Sequence, residues 1–162
     1  MFFQKEKVMS DKALAVGHIP SGLFIVTTVD GDKKDGYLAS WVQQVSFEPL
    51  VVALAVKAGR PGYDHIMSGK PFAINIVGEH ETQFMRHFWK GYEKSPFGEI
   101  PHEVNEQGGL VIKDAKSAIT CKLSSKSHPG DHEVVFAEVL ASNVFESEAK
   151  PKVHIRKSGL DY

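Results

Sequence analysis

The sequence predicts a mainly β domain, an antiparallel barrel with a few short flanking helices. Runs rich in β-branched and aromatic residues recur along the chain, each bounded by Gly, Pro or Asp clusters. Only about two of these runs are joined through a helical segment, whereas a doubly wound parallel sheet needs a helix at every crossover. No repeat, low-complexity tract or linker divides the 162 residues, which form one domain long enough to bury its own core.

The elements follow in order. Ala13, Leu14, Ala15 and Val16 stand behind Asp11 as a helix cap, and Pro20 and Gly22 stop that helix. "LFIVTTV", Leu23 to Val29, reads as a strand, and "DGDKKDG", Asp30 to Gly36, as a turn by its Asp and Gly content. "YLASWVQQV" and "LVVALAV" follow as strands with Glu48 and Pro49 between them. Tyr63 to Ser68 reads as a short helix closed by Gly69 and Pro71, and "FAINIV", Phe72 to Val77, as another strand. Phe84, Met85, Phe88 and Trp89 recur at helical spacing within "EHETQFMRHFWKGY", which makes that stretch an amphipathic helix. Lys90 to Gly109 reads as a long surface loop, a kind of segment that often covers or lines a site. "SAITCKLSS" and "HEVVFAEVLASNVFES" are two longer strands joined by the turn "KSHPGD", and "KVHIRK" is a short last strand.

Charge and cysteine usage exclude several classes. Lys plus Arg is 19 against 20 for Asp plus Glu, so no basic excess points to nucleic acid or a membrane surface. No apolar run approaches the length of a membrane span, and the charges after Phe2 and Phe3 interrupt anything like a signal peptide. The single cysteine, Cys121, has no internal disulfide partner and reads as a small buried thiol. These features lead us to expect a cytoplasmic protein. The eight histidines form no convergent ligand set, so no metal site is expected. There is no G-x-G-x-x-G, no P-loop and no G-x-S-x-G elbow, so no standard phosphate loop or nucleophile is present.

One stretch stands out against this background. "GYLASWVQQVSFEP", Gly36 to Pro49, opens like a core strand and then brings a hydroxyl, an indole and two amides into an apolar run. Four stretches in order, "IPSGLFIVTT", "LASWVQQVSFEPLVVALAVKAGR", "KPFAINIV" and "GDHEVVFAEVL", resemble the flavin reductase-like, FMN-binding split-barrel family. "FMRHF" and "HIRKSGLDY" are similar to one branch of it, the flavin-reductase module at the C-terminus of flavodiiron proteins. The match covers nearly the whole chain from about Pro20 onward.

The resemblance implies a split barrel, dimeric, with FMN bound without a covalent bond near the subunit interface and NADH or NADPH as electron donor. An isoalloxazine ring needs a flat apolar slot with fixed hydrogen-bonding groups along one rim. By resemblance Leu38, Ala39, Ser40, Trp41 and Val42 line it; the other reading has Trp41 merely capping the core. Many family members carry Asn-Ser where this chain has Ser40-Trp41. The family's phosphate loop corresponds to "KAGRPGYDH". There Pro61 suits a first helical turn, Gly59 and Gly62 permit close approach, and Lys57 or Arg60 supplies charge; a solvated basic turn is the alternative. Asn75 either bonds a neighbouring strand or touches the cofactor. The family's Gly-Asp-His matches Gly130, Asp131 and His132, placing His132 near the flavin or nicotinamide as the candidate catalytic residue, against a plain surface turn. His154, Arg156 and Tyr162 match the branch as flavin-edge or dimer contacts. The implied activity is electron transfer from NAD(P)H to flavin. The alternatives are an electron carrier resembling flavoredoxin that is reduced by a protein partner, and, more distantly, an oxidase of a vitamin-B6-like or haem-like ligand.

Overall fold

A computed structural model describes residues 9–81, 85, 87, 88, 97–146 and 148–162. Its first elements are α1 (Asp11–Gly17), β1 (Ser21–Gly22), β2 (Phe24–Asp30), β3 (Lys33–Ala39), β4 (Val42–Ser46) and β5 (Val51–Val56). Next come α2 (Tyr63–Met67), β6 (Phe72–Ile76), β7 (His102–Val104) and β8 (Leu110–Ile112). The long hairpin β9 (Ser117–Ser127) and β10 (Glu133–Val144) precedes the short β11 (Val153–His154). The predicted mainly β, antiparallel architecture is what forms.

Seven strands make one sheet in the order β3-β2-β6-β9-β10-β5-β4, with every ladder antiparallel. Its topology forces curvature. β3 leaves one edge at Ala39 and β4 enters the opposite edge at Val42, so Ser40 and Trp41 alone join the two edges. Three consecutive Cα steps reach at most about 11 Å. A flat sheet would hold those edges six strand spacings, or about 29 Å, apart. The sheet therefore curls until its edges approach at Ser40–Trp41, and no β3–β4 ladder closes the gap among the described residues.

Inside the curl Val26, Leu54, Val56, Phe72, Ile74 and Val135 pack together, and Ile66 of α2 plugs the cluster with no exposed surface. Cys121 lies in the same cluster, where burial pushes its thiol up to about 12, so it packs as a small protonated group. A second cluster joins Leu23, Ile25, Met85, Phe88, Phe97 and Leu110.

Several expectations change. The α1 cap is Ser10, whose Oγ accepts from the Ala13 N–H, because the extended Ser10 backbone (ψ 151°) aims its side chain back at the first turn. The turn expected over Asp30 to Gly36 shrinks to Gly31 and Asp32: the β2–β3 ladder runs to Asp30 opposite Lys33, and Gly31 takes the positive φ of 59° that so tight a loop needs. "YLASWVQQV" is not one strand but the end of β3 and the start of β4. Within the supposed loop Lys90 to Gly109, β7 pairs with β8, whose three residues are fully buried. The helix expected around Phe84 to Trp89 lies mostly outside the described residues; its Met85 and Phe88 are buried. Pro61 precedes α2 rather than entering it, since the N-cap is Gly62 at φ 78°.

Asn75 needs the clearest correction. It sits on β6 with no exposed surface. Its Nδ2 donates to the Ile25 carbonyl and to Thr27 Oγ1, both at 3.0 Å, and its Oδ1 accepts the Ile112 N–H at 2.8 Å. The amide joins β2 and β8 through the core and has no face left for a cofactor.

Candidate functional site

The two-residue link is the structural centre of the site. Trp41 is held in place by its own carbonyl, which accepts the Ala55 N–H at 3.1 Å, so the link lies across the end of β5. On one side opens a cavity of about 400 Å³. Leu38, Ala39 and Ser40 line it together with the apolar Leu23, Met85 and Phe88, and Arg60, Lys152, His154 and Tyr162 give its lining a polar part. On the other side lies an open, mainly apolar groove of about 680 Å³ that includes Phe24, Val42, Ala53, Val134 and Val153.

A chain of rings and cations stands over the link. The Trp41 indole is 36% exposed, with the His132 ring 4.8 Å from it and the Tyr162 ring 5.9 Å away, centroid to centroid. The Arg156 guanidinium lies 5.1 Å from the Trp41 ring, and that of Arg60 lies 5.1 Å from the Tyr162 ring; both are within cation–π range. His132 Nδ1 lies 2.8 Å from Asp131 Oδ1, and its Nε2 meets the Tyr162 hydroxyl. A neutral ring satisfies both contacts when Nδ1–H donates to the carboxylate and Nε2 accepts from the phenol. The bond from His132 holds the Asp131 carboxyl below the ordinary aspartate range.

Leu38, Ala39, Ser40, Trp41, Lys57 and Arg60 meet around one small recess that also includes Tyr162. Contacts to Trp41 add His132 and Arg156. Val42 turns to the opposite groove. Gly59 does not join them: it lines a separate cavity with Asp30, Asp35 and Asp64 facing Lys33 and Lys70. Those carboxylates offset the cations, so the local charge there does not favour a phosphate. Arg60 borders both cavities. Leu23 and Lys152 were missed by sequence reasoning. Leu23 reads as ordinary strand core, and nothing around Lys152 marks it.

His154 in the lining of the cavity at the link is held below the usual histidine range, first by burial and second by the Arg156 charge. Its folded form binds a proton less readily than the unfolded chain, so its contribution is complete above the ordinary value of 6.5 and is lost as pH falls below it. We expect the urea midpoint to drop between pH 7.5 and 5.5, and His154→Gln to flatten that drop. An equal slope in the variant would assign the pH dependence to other groups.

A curled antiparallel sheet carries, at its open seam, a mainly apolar cavity with cations in its lining. The chain belongs to the family described as Flavin reductase like domain, which matches residues 16–159. Diflavin flavoprotein A 1 of Synechocystis sp. is 32% identical over 162 residues, covering 98% of this chain and 28% of the relative. A Nostoc sp. relative carrying the diflavin flavoprotein A name is 37% identical over 155 residues, covering 94% of this chain and 27% of its own length. The chain thus spans about a quarter of the curated relatives it matches and corresponds to their reductase-like module. Among solved structures, the Streptomyces globisporus NADH:FAD oxidoreductase SgcE6, in complex with NAD and FAD fragments, superposes with a TM-score of 0.80 at 20% identity, covering 89% of this chain and 86% of that one. The flavin reductase PheA2 gives 0.76 at 25% identity, with 88% and 90% covered.

Proposed function

We propose that this domain binds FMN without a covalent bond and passes electrons to it from NADH or NADPH. The observation that carries the reading is the cavity at the Ser40–Trp41 link, whose lining suits the cofactor in chemistry as well as size. Small side chains at Ala39 and Ser40 leave backbone groups open to a heteroaromatic edge, Leu23, Met85 and Phe88 suit an apolar ring face, and Arg60 with Lys57 suits a terminal phosphate. Bound flavin supplies the hydride-accepting chemistry, so the chain needs no nucleophile of its own.

The work left to the protein is positioning. Leu38 to Trp41 hold the ring edge, and Arg60 orients the phosphate end by charge-assisted bonds. His132, fixed by Asp131, presents Nε2 toward the site, where it accepts from the N–H of a nicotinamide carboxamide and so orients it. His132→Ala is expected to slow flavin reduction by about ten-fold or more, equivalent to about 1.4 kcal/mol of barrier. FMN affinity and thermal midpoint should move much less. Normal bleaching with lowered stability would make His132 a turn residue only.

The same reading includes a homodimer. Val45 on β4, at the sheet's edge, is 50% exposed and Phe47 in the turn just after it 88%, and the groove beside β4 is largely apolar. Covering such a surface with a second copy is the commonest solution. Sedimentation of the FMN-loaded chain as a monomer at micromolar concentration would remove this part. The reading extends to a protein as eventual electron acceptor and to action in the cytoplasm.

A further inference from the structure

We infer that Tyr162 is a gate: its phenol ring stands where the nicotinamide must stack and has to leave before His132 can act. The inference rests on the flavin-reductase reading above and deepens it.

The segment after β11 behaves as a strap with a fixed base and a loose tip. At the base, Ser158 is 8% exposed and the Gly159 N–H donates to the Ala13 carbonyl at 2.6 Å. A Cβ on Gly159 would lie 2.5 Å from Val16 Cβ, so only glycine lets the strap seat against α1. Beyond that point Leu160 is 81% and Tyr162 65% exposed. The tip is held by a 3.3 Å bond from Arg156 Nη1 to the Asp161 carbonyl, by the Arg60 guanidinium over the phenol ring, by the Trp41 ring 5.9 Å from that ring, and by the Tyr162–His132 bond. Each is an exposed or single neutral contact of the kind that contributes little, so the tip can detach while the base stays.

Tyr162 blocks two things at once. Its ring borders the cavity mouth beside Leu38, Ala39, Ser40 and Arg60. Its hydroxyl occupies His132 Nε2 while Asp131 occupies Nδ1, so neither imidazole nitrogen is free for an incoming carboxamide. A nicotinamide is likewise a flat ring carrying one polar group, and its carboxamide would take over the contact to His132. Closed and open straps then compete, and the apparent affinity for the nicotinamide is reduced by the fraction of molecules that are closed.

The test uses the full chain after FMN loading has been measured by fluorescence titration. NAD⁺ and NADP⁺ are titrated at equilibrium, and KM for NADH and NADPH is measured in parallel. Tyr162→Ala should tighten nicotinamide binding and lower KM by about tenfold, since the competing ring is gone. Tyr162→Phe keeps the ring over Arg60 but frees His132, and should give about a threefold gain. FMN affinity is measured for each variant, so that nicotinamide affinities are compared at equal flavin loading. Unchanged nicotinamide affinity in both variants would overturn the gate. Weakened affinity would overturn it too, by making Tyr162 part of the binding surface. If the wild-type chain takes up no FMN, the flavin reading itself fails at the loading step, before any nicotinamide is added.

Discussion

Arg60→Ala is expected to raise the dissociation constant for FMN by roughly 10- to 150-fold, about 1.5–3 kcal/mol, the range for a hydrogen bond to a charged partner. The geometry favours a large effect. A turn fixes the Arg60 backbone, its N–H donating to the Lys57 carbonyl at 3.2 Å and its carbonyl accepting the Tyr63 N–H at 3.0 Å. The side chain reaches from there to the cavity lining, where a forked guanidinium can meet two phosphate oxygens together. Riboflavin has no phosphate, so the wild-type chain should prefer FMN and the variant should lose most of that preference. An unchanged FMN dissociation constant, or equal binding of FMN and riboflavin by the wild type, would leave Arg60 with only its contact to the Tyr162 ring.

Asn75→Ala is expected to lower folding stability by about 2–4 kcal/mol, because the Ile112 N–H loses its acceptor inside the core and a void replaces the amide. The loss should appear as a lower urea midpoint with an unchanged denaturant slope. FMN affinity of the folded protein should stay the same. A variant of normal stability but weakened FMN binding would restore Asn75 to the cofactor site and contradict the bonds it makes to Ile25, Thr27 and Ile112.

These two residues also mark how far the sequence can be read. β2, β5, β6, β9 and β10 were legible because their β-branched runs meet clear Gly, Pro or Asp boundaries. Most of β3 was hidden: Lys33, Lys34, Asp35 and Gly36 have turn chemistry, and an edge strand tolerates such residues because one side faces solvent. The break at Ser40–Trp41 was invisible as a break, since nothing local says that Ala39 and Val42 belong to opposite edges of one sheet. The polar residues there nonetheless coincide with the link between the sheet edges, beside the cavity proposed for the cofactor. β7 and β8 were too short to produce a periodic signal. Gly59 lines a cavity other than the one at the link, and composition, which suggests a phosphate loop, does not say which cavity that loop faces. Asn75 was ambiguous for a related reason: a buried amide on an apolar strand looks the same whether its partner is a backbone group or a ligand.

The central claim is that the cavity at the Ser40–Trp41 link holds FMN for reduction by a nicotinamide. The most direct measurement is anaerobic stopped-flow absorbance of the FMN-loaded chain mixed with NADH and, separately, with NADPH. The account predicts a bound yellow chromophore that bleaches in a phase saturating with at least one of the two donors. Tight FMN binding with no bleaching by either donor would contradict it and favour a carrier reduced by another protein.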